Sequence, residues 1–230
     1  MWYHNGVTLF LMGEDVMKTL IGITLSNIYV LALLLLSSYL YKTQKASRET
    51  TRKLVHIGAS NWWFMVMWYA DTALTAAIVP MMFVIVNYYM LKNHLFKSIE
   101  REGEQQDLGR IFYAVSLLVI TVWTFGIGRP EIGVIGVLIM GYADGFAALV
   151  GIRYGKHKLY GSKSLEGSLV AIVLTVVIVV FFNNIYAIGL TAAEMVLVVC
   201  SAVFLESVSL KGSDNLTVPI GTTLIIYFLM

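Results

Sequence analysis

Apolar residues run along this chain in long blocks, with the charged residues confined to short stretches between them. A bilayer core of about 30 Å needs roughly 20 apolar residues of helix, with about 17 as the lower limit. Seven stretches meet that length: Leu20–Tyr41, Lys53–Tyr69, Thr72–Leu91, Ile111–Ile127, Ile132–Gly151, Gly167–Tyr186 and Ala192–Leu210. An eighth, Leu216–Met230, is shorter and reads as a tilted final helix or a re-entrant segment; the helix is the expectation taken. The pattern predicts an all-α, polytopic transmembrane bundle of seven to eight helices. With no internal repeat, low-complexity tract or domain-sized loop, residues 1–230 are expected to form a single membrane domain.

Composition agrees with that pattern. The 230 residues are 58% hydrophobic and 13% charged, whereas a soluble domain carries about 25% charged residues. Lipid is therefore the implied main solvent. A net charge of +2 gives no reason to expect nucleic acid as a partner. The one cysteine, Cys200, excludes an internal disulfide and a cysteine-based zinc site. No basic leader precedes the first apolar run, which Glu14 and Asp15 interrupt, so a cleaved signal peptide is not expected.

The placement of the charges orients the bundle. With the N-terminus outside, the cytoplasmic loops are 42–53, 92–110, 152–166 and 211–215. They hold five, four, four and one of the 16 lysines and arginines, leaving only Lys18 and Arg129 elsewhere. Such asymmetry is what the positive-inside rule requires.

Several polar residues fall where lipid disfavours them. An acid at the centre of a membrane helix costs about 2.5–3.5 kcal/mol on insertion scales. Asp144 lies seven residues before Gly151, so about 10 Å inside the cytoplasmic end of the fifth stretch. Glu206 and His56 each sit about one turn inside the same side, with Arg52 four residues before His56 and Asn215 following Asp214 at the last entry. All lie at similar depth on one side of the membrane. Each also has a plain structural reading. Asp144 could pair with a lysine to lock two helices, Glu206 could serve an interhelical hydrogen bond, His56 could bind neighbouring carbonyls, and Asn215 could cap a helix. Trp62, Trp63 and Trp68 read as interface anchors and packing residues.

The run from Gly141 to Lys158, followed by Gly161-Ser-Lys-Ser-Leu-Glu-Gly-Ser168, carries the densest chemistry. Gly141 and Gly145 form a small-xxx-small pair that lets a neighbouring helix approach near Asp144. Arg153, Lys156, Lys158 and Lys163 stand among Gly155, Gly161, Ser162 and Ser164, and glycine backbone with lysine charge suits a phosphate. The spacing is not that of a P-loop, and no strand precedes it. Because magnesium is typically held by one or two carboxylates together with phosphates and water, Asp144 is a candidate ligand. Phosphoryl chemistry is the leading expectation.

Four ordered segments then resemble one family: Arg52-Lys-Leu-Val-His56, Ala143-Asp-Gly-Phe-Ala-Ala-Leu-Val-Gly151, Gly161-Ser-Lys-Ser-Leu-Glu-Gly167 and Asp214-Asn-Leu-Thr-Val-Pro219. They are similar to the CTP-dependent lipid kinases, comprising phytol kinase, dolichol (polyprenol) kinase and yeast-type diacylglycerol kinase. Arg101-Glu-Gly103 with Gly109–Tyr113, and Glu206-Ser207, also fit the phytol kinase pattern, and the match runs from about residue 48 to 220. Where that family often reads Gly-Asp-Gly, this chain has Ala143 before Asp144.

The resemblance implies transfer of the γ-phosphoryl group of CTP to the hydroxyl of a membrane lipid alcohol. It implies Asp144 holding Mg²⁺ with Glu206 or Glu166 assisting or acting as base, and Ser162, Lys163 and Ser164 binding the CTP phosphates. Arg52, Lys53 and His56 would meet nucleotide or phosphoryl group, with Arg153 and Lys156 in the nucleotide loop and Asp214 and Asn215 completing the pocket. The walls of the second, fifth and seventh stretches would admit the alcohol tail from the bilayer, and the active site would face the cytoplasm. Three other readings compete. A membrane cytidylyltransferase forming a CDP-lipid would need a C-terminal His-Gly-Gly and Asp-Arg signature, absent from this chain. A cation-coupled transporter would use Asp144 and Glu206 as its path, and a noncatalytic lipid-binding scaffold would leave the Gly/Ser/Lys loop unexplained.

Overall fold

The computed structural model describes residues 2–93, 108–159, 163–209 and 212–230, with side chains from Glu14 onward. Arg101, Glu102, Gly103, Gly161 and Ser162 lie outside the described residues. Helix α1 spans Trp2–Lys42, α2 Arg48–Ser60, α3 Trp62–Tyr69, α4 Ala73–Asn93 and α5 Gly109–Gly126. Then come α6 (Pro130–Leu138), a π-helical turn (Ile139–Ala143) and α7 (Asp144–Tyr154), which form one continuous rod. Helices α8 (Leu165–Ile185), α9 (Ala192–Val208) and α10 (Asp214–Leu229) complete the bundle. Counting α2 with α3, and α6 with α7, gives eight helical units among the described residues. Five are long and apolar enough to cross a bilayer: α1 from Glu14, α4, α5, the Pro130–Tyr154 rod and α8. At 17 and 16 residues, α9 and α10 sit at the lower limit. The last segment is a helix, as expected.

The expected Lys53–Tyr69 helix is in fact two. Ser47 starts α2 five residues early, its hydroxyl accepting the Thr50 N–H. The break comes at Asn61, whose N–H turns back to the Gly58 carbonyl and whose Oδ1 accepts the Tyr142 hydroxyl at 2.6 Å. Helix α2 is amphipathic with its polar side inward: Lys53, His56 and Ser60, spaced three and four apart, are buried on one face. That face lies against the Pro130–Tyr154 rod. A Cβ at Gly141 would come within 2.3 Å of Ser60, and one at Gly145 within 2.4 Å of Ile57. The two glycines thus give α2 the close approach to Asp144 that their spacing predicted.

The core and surface follow from lipid as solvent. Trp62 and Trp63 are fully buried packing residues, their indole N–H groups donating to Ser26 Oγ (3.0 Å) and the Pro130 carbonyl (3.2 Å). Of the three tryptophans only Trp68 is exposed where an interface anchor would be. Large apolar side chains such as Leu35, Ile85, Val173 and Phe204 point outward, while Ser26, Thr121 and Thr222 are buried.

Candidate active site

The π-helical turn sets the centre of the site. Across it the Asp144 N–H donates to the Ile139 carbonyl, five residues back, where an α-helix would use Met140. The Met140 carbonyl is thereby released, and His56 Nε2 lies 2.9 Å from it. A carbonyl only accepts, so this contact requires a proton on Nε2. Asp144 Oδ2 stands 2.6 Å from Lys53 Nζ and 3.3 Å from His56 Nε2. Tyr113 packs its ring against His56, tilted by 60° with 4.5 Å between centroids, and donates its hydroxyl to the His56 carbonyl at 3.1 Å. The structural readings of Asp144 and His56 are therefore both realised: the acid pairs with a lysine and the imidazole binds a carbonyl.

The basic loop after α7 doubles back on itself. Leu159 N–H donates to the Lys163 carbonyl at 3.0 Å and Leu165 N–H to the His157 carbonyl at 2.8 Å. Ser164 then caps α8, accepting the Gly167 N–H. The return brings Lys163 Nζ to 3.1 Å from both Glu206 Oε1 and the Glu206 carbonyl, tying the loop to α9.

Two cavities meet at α2. A polar cleft of about 510 Å³ opens between α2, α7, the start of α8, and the ends of α9 and α10. Of the expected site residues it gathers Arg52, Lys53, Asp144, Lys163, Ser164, Glu206 and Asp214. An apolar cavity of about 340 Å³ lies between α1, α2, α4 and α5, and His56, Tyr113 and Asn215 line its polar end. Arg52 lines both. This cavity is lined mainly by the first four apolar stretches, whereas the alcohol tail was expected between the second, fifth and seventh. Only the second is shared, because the fifth is packed at the bundle centre with α2, α8 and α10 around it.

Five described site candidates fall outside the cleft lining: His56 and Asn215 line the apolar cavity instead, and Glu166, Arg153 and Lys156 line neither. Glu166 turns to the loop, accepting the His157 ring N–H at 2.8 Å and its backbone N–H at 3.3 Å. Arg153 is exposed with its guanidinium over the Tyr154 ring, and Lys156 is exposed on the loop's outer side. Asn215 does not cap α10; its amide donates to the Gly109 carbonyl at 3.2 Å, joining α10 to α5. Asp144, Glu206, Asp214 and Asn215 also line one small adjoining space. Among the described residues no three histidine, cysteine or carboxylate groups converge closely enough to hold a metal. Two of the carboxylates lining the cleft, Asp144 and Glu206, are the number that magnesium takes when substrate phosphates and water complete its shell.

Against known proteins, the chain is 33% identical over 211 residues to a phytol kinase from Synechocystis, covering 89% of this chain and 90% of that protein. It is also 28% identical over 154 residues to a CTP-dependent diacylglycerol kinase from Schizosaccharomyces pombe, covering 61% of this chain and 69% of the relative. The chain belongs to the CTP-dependent lipid kinase family, in its phytol kinase-like branch. A rice protein named a probable phytol kinase is 32% identical over 206 residues, covering 79% of this chain and 65% of its own length. No family model and no solved structure matches the chain.

Sequence reasoning gave no individual site role to Glu49 or Tyr113, and it named Lys158 only as one of the basic residues of the phosphate-suited loop. Glu49 lines the cleft and holds the Arg52 guanidinium through two hydrogen bonds, of 2.9 and 2.5 Å. Their i, i+3 spacing on α2 was the available signal. Tyr113 ends the Gly109–Tyr113 stretch that fits the phytol kinase pattern, but its contact with His56 spans 57 residues and has no local signal.

Because Glu166 pins the loop and does not line the cleft, Glu166→Ala is expected to raise the KM for nucleotide roughly tenfold with kcat little changed. Steady-state kinetics check this. A large fall in kcat at unchanged KM would restore Glu166 to the chemical step.

Proposed function

We propose that this lipid kinase transfers the γ-phosphoryl group of CTP to the hydroxyl of a membrane-embedded isoprenoid alcohol such as phytol, geranylgeraniol or a polyprenol. The products are the lipid monophosphate and CDP, and the single membrane domain works with its N-terminus outside and its cleft toward the cytoplasm. The observation carrying this reading is the meeting of a charged cleft and an apolar cavity across Arg52 and the His56–Asp144 contact. A water-soluble nucleotide and a lipid tail need opposite solvents, and only such a junction offers both.

Phosphoryl transfer asks for positioning and charge stabilisation more than covalent chemistry. Lys53, Lys158, Lys163 and Arg52 supply positive charge around the cleft. The first turn of α8 adds backbone N–H groups and the positive end of its dipole. Arg153 and Lys156, outside the lining, raise the local potential that draws in the nucleotide. Magnesium would arrive on the CTP phosphates with Asp144 and Glu206 as its carboxylate ligands, and when bound it offsets charge developing on the phosphates.

His56 is the base in this scheme. Its Nε2–H is committed to Met140 and Asp144, which leaves Nδ1 as the nitrogen able to accept a proton. The ring lines the cavity that would hold the alcohol. The alcohol oxygen bonds to the γ-phosphorus, its proton passes to Nδ1, and the electron pair of the breaking P–O bond stays on the CDP oxygen. The resulting imidazolium is stabilised by Asp144.

The test uses purified protein, Mg²⁺ and a panel of prenols and diacylglycerol, with CTP labelled at the γ or the α phosphate. Label entering lipid only from the γ position is expected. Entry from the α position would make the protein a cytidylyltransferase, and transfer of neither label would return the transporter and scaffold readings.

A further inference from the structure

We infer that the alcohol enters sideways, through a portal between α1 and α4, and that the kinase holds only its hydroxyl and about two isoprene units inside the protein. This rests on the isoprenoid alcohol kinase reading above and specifies how that substrate is held.

The cavity is shallow. Its lining runs from Arg52 to Ala59 on α2 and from Met90 to Met82 on α4, which at 1.5 Å per residue is about 10–12 Å. The inner end is firm. Phe83 closes it, backed by Trp62 at 5.8 Å between ring centroids, and the Trp62 indole is anchored on Ser26. An isoprene unit advances the chain by four C–C bonds of about 1.5 Å each, roughly 5 Å in all once bond angles are allowed for. Two units therefore reach Phe83. A 20-carbon alcohol has two more, and they need a way out.

The side wall supplies one. Leu31 on α1, and Met82 and Val86 on α4, line the cavity and yet are 53%, 39% and 46% exposed. By contrast Tyr113 and Ala114 on α5, which face the same cavity, are buried. The open flank therefore lies between α1 and α4, both candidate membrane spans, where the surroundings are acyl chains. An isoprenoid tail leaving there stays in an apolar medium, so its desolvation favours neither side. The substrate can thus dock from the bilayer, and its distal tail adds no contacts for the protein to read.

The experiment uses full-length protein in phospholipid nanodiscs and a geranylgeraniol bearing a diazirine in its third isoprene unit. Crosslinks are expected on Leu31, Met82 or Val86. Crosslinks confined to Ala59 and Ala114, or an absence of crosslinks, would overturn the portal. In parallel, kcat/KM is measured for alcohols of 10, 15, 20 and 55 carbons. A pocket that reads a single methylene discriminates by about tenfold or more, whereas values here are expected to stay within about threefold from 10 carbons upward. A sharp optimum at 20 carbons would mean an enclosed tail and overturn the inference. Val86→Trp and Leu31→Trp, on opposite jambs, are each expected to raise the KM for geranylgeraniol at least tenfold with the KM for CTP within about twofold. If wild type phosphorylates no alcohol the kinase reading fails, while the crosslinks still decide the portal.

Discussion

Asp144→Asn is expected to lower kcat by about 10³-fold or more and to destabilise the protein at the same time. The two effects share one cause. Asp144 and Lys53 meet at 2.6 Å with side chains only 20% and 7% exposed, and breaking such a pair leaves an uncompensated buried charge, costing about 3–5 kcal/mol. The charge left stranded is that of Lys53, and it abuts the cleft assigned to the phosphates. Removal of a preorganised electrostatic group at a reacting centre typically costs about 10²–10³ in rate, and here the orientation of Lys53 and His56 is lost with it. A double variant separates structure from chemistry. Lys53→Met with Asp144→Leu replaces both charges by apolar groups, an exchange often neutral or stabilising, so thermal stability is expected to return while activity does not. Recovery of turnover in the double variant would show that the pair only locks α2 to α7.

His56→Gln is expected to lower kcat by about 10²–10⁴, the usual contribution of a positioned acid or base, and to leave the KM for CTP within about threefold. Glutamine can still donate to the Met140 carbonyl, so the contact between α2 and the π-helical turn survives. What it lacks is a nitrogen that accepts a proton. The two steady-state constants decide between roles. A high KM for CTP with normal kcat would make His56 a nucleotide contact, one of the two roles that the resemblance implied. A loss in kcat alone places it at the alcohol.

The eight helical blocks were legible because lipid solvation leaves a coarse, local signature of about 20 residues per crossing. The close approach of α2 to Gly141 and Gly145 was legible for a similar reason, since a four-residue spacing of small residues is a local pattern. The division at Asn61 was not. An asparagine between apolar runs does not disclose that its side chain will accept a hydroxyl from Tyr142, 81 residues away. The direction Glu166 takes was not legible either, although the resemblance named it beside Glu206. The folded loop instead brings His157 around to it and sends Lys163 to Glu206.

By itself the sequence determined the helical membrane architecture, the gathering of charge toward one side, and the family, whose four short motifs survive in order. Tertiary structure alone decided which acid meets which base, where the apolar cavity lies and which helices leave it open. The physical reason is range. Hydrophobic periodicity and loop charge act over a few residues and can be read in place. The contact between Lys53 and Asp144 joins positions 91 residues apart, and a carboxylate's role follows from whichever groups the fold carries to it.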